Sequence, residues 1–270
     1  MTELILALIM GYFIGFFHRR GIEARRREKI KELFEFLEKN RQYNKQVQEG
    51  FIKSCIAIKD LSPEQKVLNL LYGVVNTQSQ PKMNAIGEFF KKMYHKDSNL
   101  ASYEGFLKTL KNEPESSDSL FELMKSQNGW GSKTAALFVK TIYLIHNDTT
   151  YKDYVFWENS LPKNLQLKLP VDAVITHIFK DNFLNQGCKL DFDGINEFFS
   201  KNHTKNPDFI IWDELWFWGF ITQQTIDNSR KSCEFNENKF LCLPYVDKDI
   251  DKIKPLAIKF YGMIKPITNE

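Results

Sequence analysis

A lysine two residues after the second of two glycines, and a carboxylate two residues after a proline, carry the clearest chemical potential in this chain. The first lies in Asn128-Gly129-Trp130-Gly131-Ser132-Lys133-Thr134-Ala135-Ala136 and the second in Leu169-Pro170-Val171-Asp172. Gly129 and Gly131 permit left-handed backbone and leave N–H groups uncovered. Uncovered amides at a helix start form an anion site suited to a phosphate of a nucleic-acid strand. An ordinary turn between two helices also wants glycine, so the glycines alone do not decide. Lys133 falls in the first turn of the helix that follows, where the helix dipole disfavours a cation. Its proton is more easily lost there, which suits an amine that acts as a nucleophile; a lysine that merely faces a phosphate or solvent has the same placement. Asp172 is a good helix cap. The same carboxylate can serve as a base or stabilise a developing cation.

Helices must position these groups. Phe121 to Gln127 reads as a helix, Asn128 to Gly131 as a tight turn, and Ser132 to Tyr143 as a second helix; Asp172 opens another over Ala173 to Asn182. Glu23 to Gln48 reads as one charged amphipathic helix with Ile30, Leu33, Phe34 and Leu37 on its apolar face. Ser62-Pro63-Glu64-Gln65 is a start signal: a serine cap, proline in the first turn, glutamine at the capping-box position. Residues 191–201 and 209–224 read as helical, and Tyr151 to Trp157 is the one candidate for extended structure. His146 to Leu169 is a long connection for a compact helical domain, either a functional insertion or a crossing between two lobes. The expected class is all-α.

Composition fits a globule and excludes a polycationic coat. The chain has 270 residues, 43% of them hydrophobic, with 23 Phe, 5 Trp and a formal net charge of only +3. Any affinity for nucleic acid must come from a local basic surface and backbone amides. Cys55, Cys188, Cys233 and Cys242 are scattered and form no disulfide ladder, which points to a reducing compartment.

The apolar run Leu4 to Phe17 is followed by His18-Arg19-Arg20 and Arg25-Arg26-Arg27. It is shorter than the about 20 residues of a full span. Charge after the apolar run argues against a signal peptide, and the positive-inside rule would place the body on the cytoplasmic side. The expectation is an anchor over residues 1–20 that contacts a membrane through residues 4–17, with an amphipathic or core helix as the other reading. Residues 21–60 then form a charged helix or linker, and 61–270 the main domain.

The stretch Gly129-Trp130-Gly131-Ser132-Lys133-Thr134-Ala135 resembles the G-x-G-x-K-T-A motif of the lyase branch of the helix-hairpin-helix DNA glycosylases, the endonuclease III and 8-oxoguanine glycosylase type. Leu169-Pro170-Val171-Asp172 is similar to the second half of that signature. Leu70 to Gln80 echoes a third element, a hydrophobic helix with a glutamine-rich tip at Gln78 and Gln80 that fills the space left by a flipped nucleotide. The alternative for that tip is a polar helix end before Pro81. The resemblance covers residues 63–225. It implies a two-lobed helical fold in which Lys133 attacks the sugar C1′ and holds the abasic sugar as a Schiff base, assisted by Asp172. Gly129, Gly131 and Ser132 would bind the backbone, and Gln78 and Gln80 the duplex. The chain departs from the family in two places: His177 stands later after the aspartate than the family histidine, so it reads as packing, and the gap from Lys133 to Asp172 is longer.

The resemblance therefore implies a monomeric base-excision glycosylase with lyase activity on double-stranded DNA carrying a damaged base, 8-oxoguanine being the leading candidate. The other reading is a catalytically silent, membrane-tethered DNA-binding module. Relatives with a 4Fe–4S cluster use four closely spaced cysteines, and only Cys233 and Cys242 stand near the carboxyl end, so no cluster is expected. No zinc pattern is visible, and a monovalent cation at the hairpin carbonyls is a further implication of the resemblance. Trp130, Trp212, Trp216, Trp218 and Phe217 are candidates to stack on an extruded base, or else core.

Overall fold

The computed structural model describes residues 21, 23–57, 61–111, 119–157, 161, 165–180, 189–201 and 208–265. The expected anchor over residues 4–17 lies outside them, and among the described residues no helix is long and apolar enough to cross a membrane.

Helices dominate, as the periodicity requires. They are α1 (residues 23–39), α2 (Gln42–Ile56), α3 (Pro63–Val75), α4 (Met83–Met93), α5 (Tyr103–Leu110), α6 (Leu120–Lys125) and α7 (Ser132–Asn147). After a 3-10 turn at Thr149–Tyr154 come α8 (Ala173–Lys180), α9 (Phe192–Lys201), α10 (Asp208–Trp212) and α11 (Glu214–Ile221). A hairpin of β1 (Gln223–Ile226) and β2 (Ser229–Ser232) follows, then α12 (Glu237–Cys242) and α13 (Ile250–Ile264). The capping box ahead of α3 forms as its sequence demands: Ser62 accepts from the Gln65 amide while the Gln65 side chain accepts from the Ser62 amide.

Three local expectations are corrected. The expected single helix from Glu23 to Gln48 breaks at residues 40–41, where the Asn40 side chain turns back to donate to the Phe36 carbonyl at 2.7 Å. Tyr151 to Trp157 is not a strand. Asp148 accepts from the Thr150 amide and closes a 3-10 turn, and the aromatic residues plug the core, with Trp157 Nε1 donating to the Leu100 carbonyl at 3.0 Å. The expected helix over 209–224 is interrupted at Asp213, whose carboxylate turns inward, and it ends at Ile221. The strands run in an antiparallel pair with Ile226 opposite Ser229. Asp227 and Asn228 both adopt positive φ (49° and 59°), the pattern of a type I′ hairpin turn.

Two helices organise the core. In α7, Ala135, Ala136, Phe138, Val139, Ile142, Leu144 and Ile145 are all buried, so the helix is covered on nearly every side. It packs on α3, on α6 and on the 3-10 turn. Helix α11 packs on α2, α8, α12 and α13. A Cβ added at Gly219 of α11 would stand 2.5 Å from Ile178 Cδ1 and 2.9 Å from Val174 Cγ1, so α8 and α11 cross at a distance only glycine allows. Residues 23–57 share this core, contributing Leu33, Phe36, Leu37, Ile52 and Ile56. The catalytic expectations attach to the starts of α7 and α8, two helices that pack on this core.

Candidate active site

A cavity of about 280 Å³ opens where α2, the end of α3, α7, the start of α8 and the α10–α11 junction converge. Lys133 and Asp172 both line it, with Leu137, Lys140, Pro170, Asp213 and Trp216 among their neighbours. Two residues with 38 others between them in sequence are thus brought to one cavity.

Lys133 is the second residue of α7, half-buried, and its Nζ lies 3.4 Å from the Thr77 carbonyl oxygen just beyond α3. Burial pulls its ammonium below the usual lysine range; the Asp172 charge opposes this and the Lys140 charge adds to it. A lysine desolvated at a helix start is the environment that frees an amine for attack.

Asp172 uses its two oxygens for two tasks. Oδ1 accepts from the Val174 and Ile175 amides at 2.8 and 3.0 Å, capping α8. Oδ2 accepts from Trp216 Nε1 at 3.1 Å. The segment leading to it is pinned as well: Asn196 of α9, 2% exposed, accepts from the Leu169 amide and donates to the Leu169 carbonyl.

The hairpin between α6 and α7 shows why its two glycines differ. Gly129 has φ +80°, and a Cβ there would lie 2.9 Å from the Ile86 amide nitrogen of α4. Gly131 is the residue before α7 with extended backbone, caps nothing with a side chain, and has no heavy atom within 4 Å of a virtual Cβ. Gly129 is needed by the fold, whereas Gly131 leaves the first amides of α7 open to an approaching anion. Trp130 between them points inward onto Phe89 and Phe138. Ser132 is half-buried at the first position of α7.

Gln78 donates from Nε2 to the Gly129 carbonyl at 3.1 Å, and Gln80 is exposed two residues further on. Of the hairpin carbonyls at which a cation is implied, Gln127 accepts from the Trp130 amide and Gly129 from Gln78, each at 3.1 Å, which leaves each oxygen a second lone pair. Among the described residues no group of three or more His, Cys, Asp or Glu side chains is placed to hold a metal ion. Cys188 lies outside them. His177 packs in α8, 7% exposed, with Nε2 3.1 Å from the Ser232 hydroxyl. Of the five aromatic candidates, Trp130, Trp212, Phe217 and Trp218 are core; only Trp216 borders the cavity.

The polar floor of the cavity was missed by sequence reasoning. Lys140, 8% exposed, donates to Asp213 Oδ2 at 2.7 Å, and the same oxygen accepts from Gln48 at 2.8 Å and Asn44 at 3.4 Å. Beside it, burial and then the Asp213 charge push the Glu214 carboxyl well above the usual carboxylate range, against Arg41 and Lys140. A signal existed: Lys140 is a charge two turns from Lys133 on an otherwise apolar helix face, and Asp213-Glu214 interrupt an apolar run.

No protein-family model, no curated protein and no solved structure matches the chain. Function is therefore argued from the site.

Proposed function

We propose that this chain is a DNA glycosylase with lyase activity, built on a two-lobed helix-hairpin-helix framework, with Lys133 as the nucleophile and Asp172 as its proton acceptor. The observation that carries this is the shared cavity: a desolvated lysine and a carboxylate within reach of its charge, on two helix starts. The open amides after Gly131 would hold a phosphate of the damaged strand, and the exposed tip at Gln80 would enter the duplex as the nucleotide swings out.

The chemistry balances on these two side chains. Lys133 passes a proton to Asp172, and the free amine forms a bond to C1′ as the bond from C1′ to the base breaks. The base leaves with that electron pair and takes the proton from Asp172. O4′ then leaves C1′ and takes a proton from the lysine nitrogen, whose lone pair closes the C1′=N Schiff base. Asp172, a carboxylate again, takes the C2′ proton; the C2′–H pair forms the C2′=C3′ bond, the 3′ phosphate leaves with the C3′–O pair, and the strand is nicked. The carboxylate also stabilises the cationic sugar in the transition state.

A cavity of about 280 Å³ is at the small end of ligand pockets and suits one base with its sugar. Its floor of Lys140, Asp213, Gln48 and Asn44 offers donors and acceptors for a base edge, and by resemblance the base is an oxidised purine such as 8-oxoguanine. A module that only held DNA would have no need of a partly desolvated lysine sharing a cavity with a carboxylate. The test is a panel of duplexes, each with one damaged base, scored for strand cleavage. Cleavage at 8-oxoguanine or a few related lesions, and none in undamaged duplex, supports the reading; no cleavage across the panel overturns it.

A further inference from the structure

We propose that Trp216 is a positioning residue that acts through Asp172, a role that rests on the glycosylase reading above. Asp172 Oδ1 is occupied by two backbone amides. Oδ2 is the oxygen left for proton transfer, and the Trp216 indole N–H holds it at 3.1 Å. A carboxylate oxygen has two lone-pair directions. With one taken by the indole, the other remains for a proton, and Asp172 shares its cavity with Lys133.

The indole is itself held in place. Its ring stacks on Phe220 with centroids 5.4 Å apart and planes 18° apart, and the Lys239 ammonium lies 4.9 Å from the Phe220 centroid. Donor and acceptor also belong to one helix crossing. Asp172 caps α8, Trp216 sits on α11, and Gly219 lets those helices meet at Val174 and Ile178. Catalytic carboxylates must be held within a fraction of an ångström and about 10–20° of the productive geometry by neighbours locked in their own packing. Trp216 meets that requirement, and it is half-buried in the cavity wall where a purely structural tryptophan would be enclosed.

Trp216→Phe keeps an aromatic ring over Phe220 and deletes the donor. The probe is a duplex with one abasic site, which needs Lys133 and Asp172 but no base recognition, with borohydride trapping as a single-turnover readout. We expect trapping at least tenfold slower in Trp216→Phe, with affinity for a tetrahydrofuran-site duplex within twofold of wild type. In an Asp172→Asn background the same substitution should change the rate less than twofold, because its acceptor has already been altered. Equal slowing in both backgrounds, or trapping by Trp216→Phe at the wild-type rate, overturns the positioning role while leaving the glycosylase reading intact. Absence of trapping by wild type overturns both. A second measurement needs no Trp216 variant: in ¹⁵N-labelled protein one indole N–H resonance should shift in Asp172→Asn, and five unmoved indole signals would refute the contact.

Discussion

Asn196 grips Leu169 by both of its backbone polar groups: its side-chain oxygen accepts from the Leu169 amide at 2.7 Å and its side-chain nitrogen donates to the Leu169 carbonyl at 3.1 Å. A buried amide from α9 thus stands in for the strand partner that the chain ahead of Asp172 lacks. The consequence is that the position of Asp172 is set three residues before it, by a residue that does not line the cavity.

Asn196→Leu should leave the Leu169 amide and carbonyl buried without that partner, a cost of about 1–3 kcal/mol for each orphaned group. Denaturant midpoints measure the loss, and strand cleavage should fall more steeply than folding. A variant as stable as wild type would mean that water or another group takes over the two bonds.

The two hairpin glycines should separate cleanly. Gly129→Ala forces a Cβ onto the Ile86 amide nitrogen at positive φ, costing about 1–3 kcal/mol of stability. Gly131→Val meets open space and should cost less than about 1 kcal/mol, yet it covers the amides at the start of α7. Affinity for abasic-analogue duplex should then drop by about 1–3 kcal/mol, from lost amide–phosphate bonds. Binding by folded Gly131→Val equal to wild type would make the turn structural only.

Asp172→Asn keeps the cap, since asparagine and aspartate rank alike at that position. It also turns an amide nitrogen toward the Trp216 N–H, donor against donor, so a stability loss of about 1–2 kcal/mol is expected. Base excision should fall by roughly 100-fold or more, the scale of losing a positioned base, while DNA binding persists. Near-normal excision by this folded variant would leave Asp172 a cap alone.

His146 packs against Phe156 and Trp157, at centroid distances of 5.0 and 5.7 Å. Burial pushes its pKa down to about 4. In the unfolded chain the ring takes a proton near pH 6.5. Between those two values the unfolded state binds more protons than the folded one, so stability falls as pH drops through that window. Allowing for partial exposure of the ring, the expected loss is about 1–2 kcal/mol. His146→Phe should flatten the trend between pH 7 and pH 4.5, read from urea midpoints; an unchanged slope would place the acid sensitivity elsewhere.

Much of the helical fold was legible because local rules and burial agree. The Ser62 capping box and the helix–turn–helix around Gly129 and Gly131 form at the expected places. Asn40 broke one expected helix through a local bond back to the Phe36 carbonyl, and Asp213 another through a long-range bond to Lys140; periodicity registers neither. The hairpin at Asp227-Asn228 was legible in principle, since those residues tolerate positive φ, but its strands are short and polar. At the candidate site, Lys133 and Asp172, singled out by motif and spacing, line one cavity. Asn44, Gln48, Lys140, Asp213 and Asn196 were not, because each gains its role only from partners distant in sequence.

The most direct measurement of the central claim is borohydride trapping on lesion-bearing and abasic-site duplexes, comparing wild type with Lys133→Gln. Wild type should form a covalent complex whose rate rises with pH and levels off below the ordinary lysine value of 10.5, as burial lowers the Lys133 ammonium. Lys133→Gln should form none while remaining folded and binding DNA. A covalent complex that survives Lys133→Gln, or wild type that traps nothing, contradicts the account.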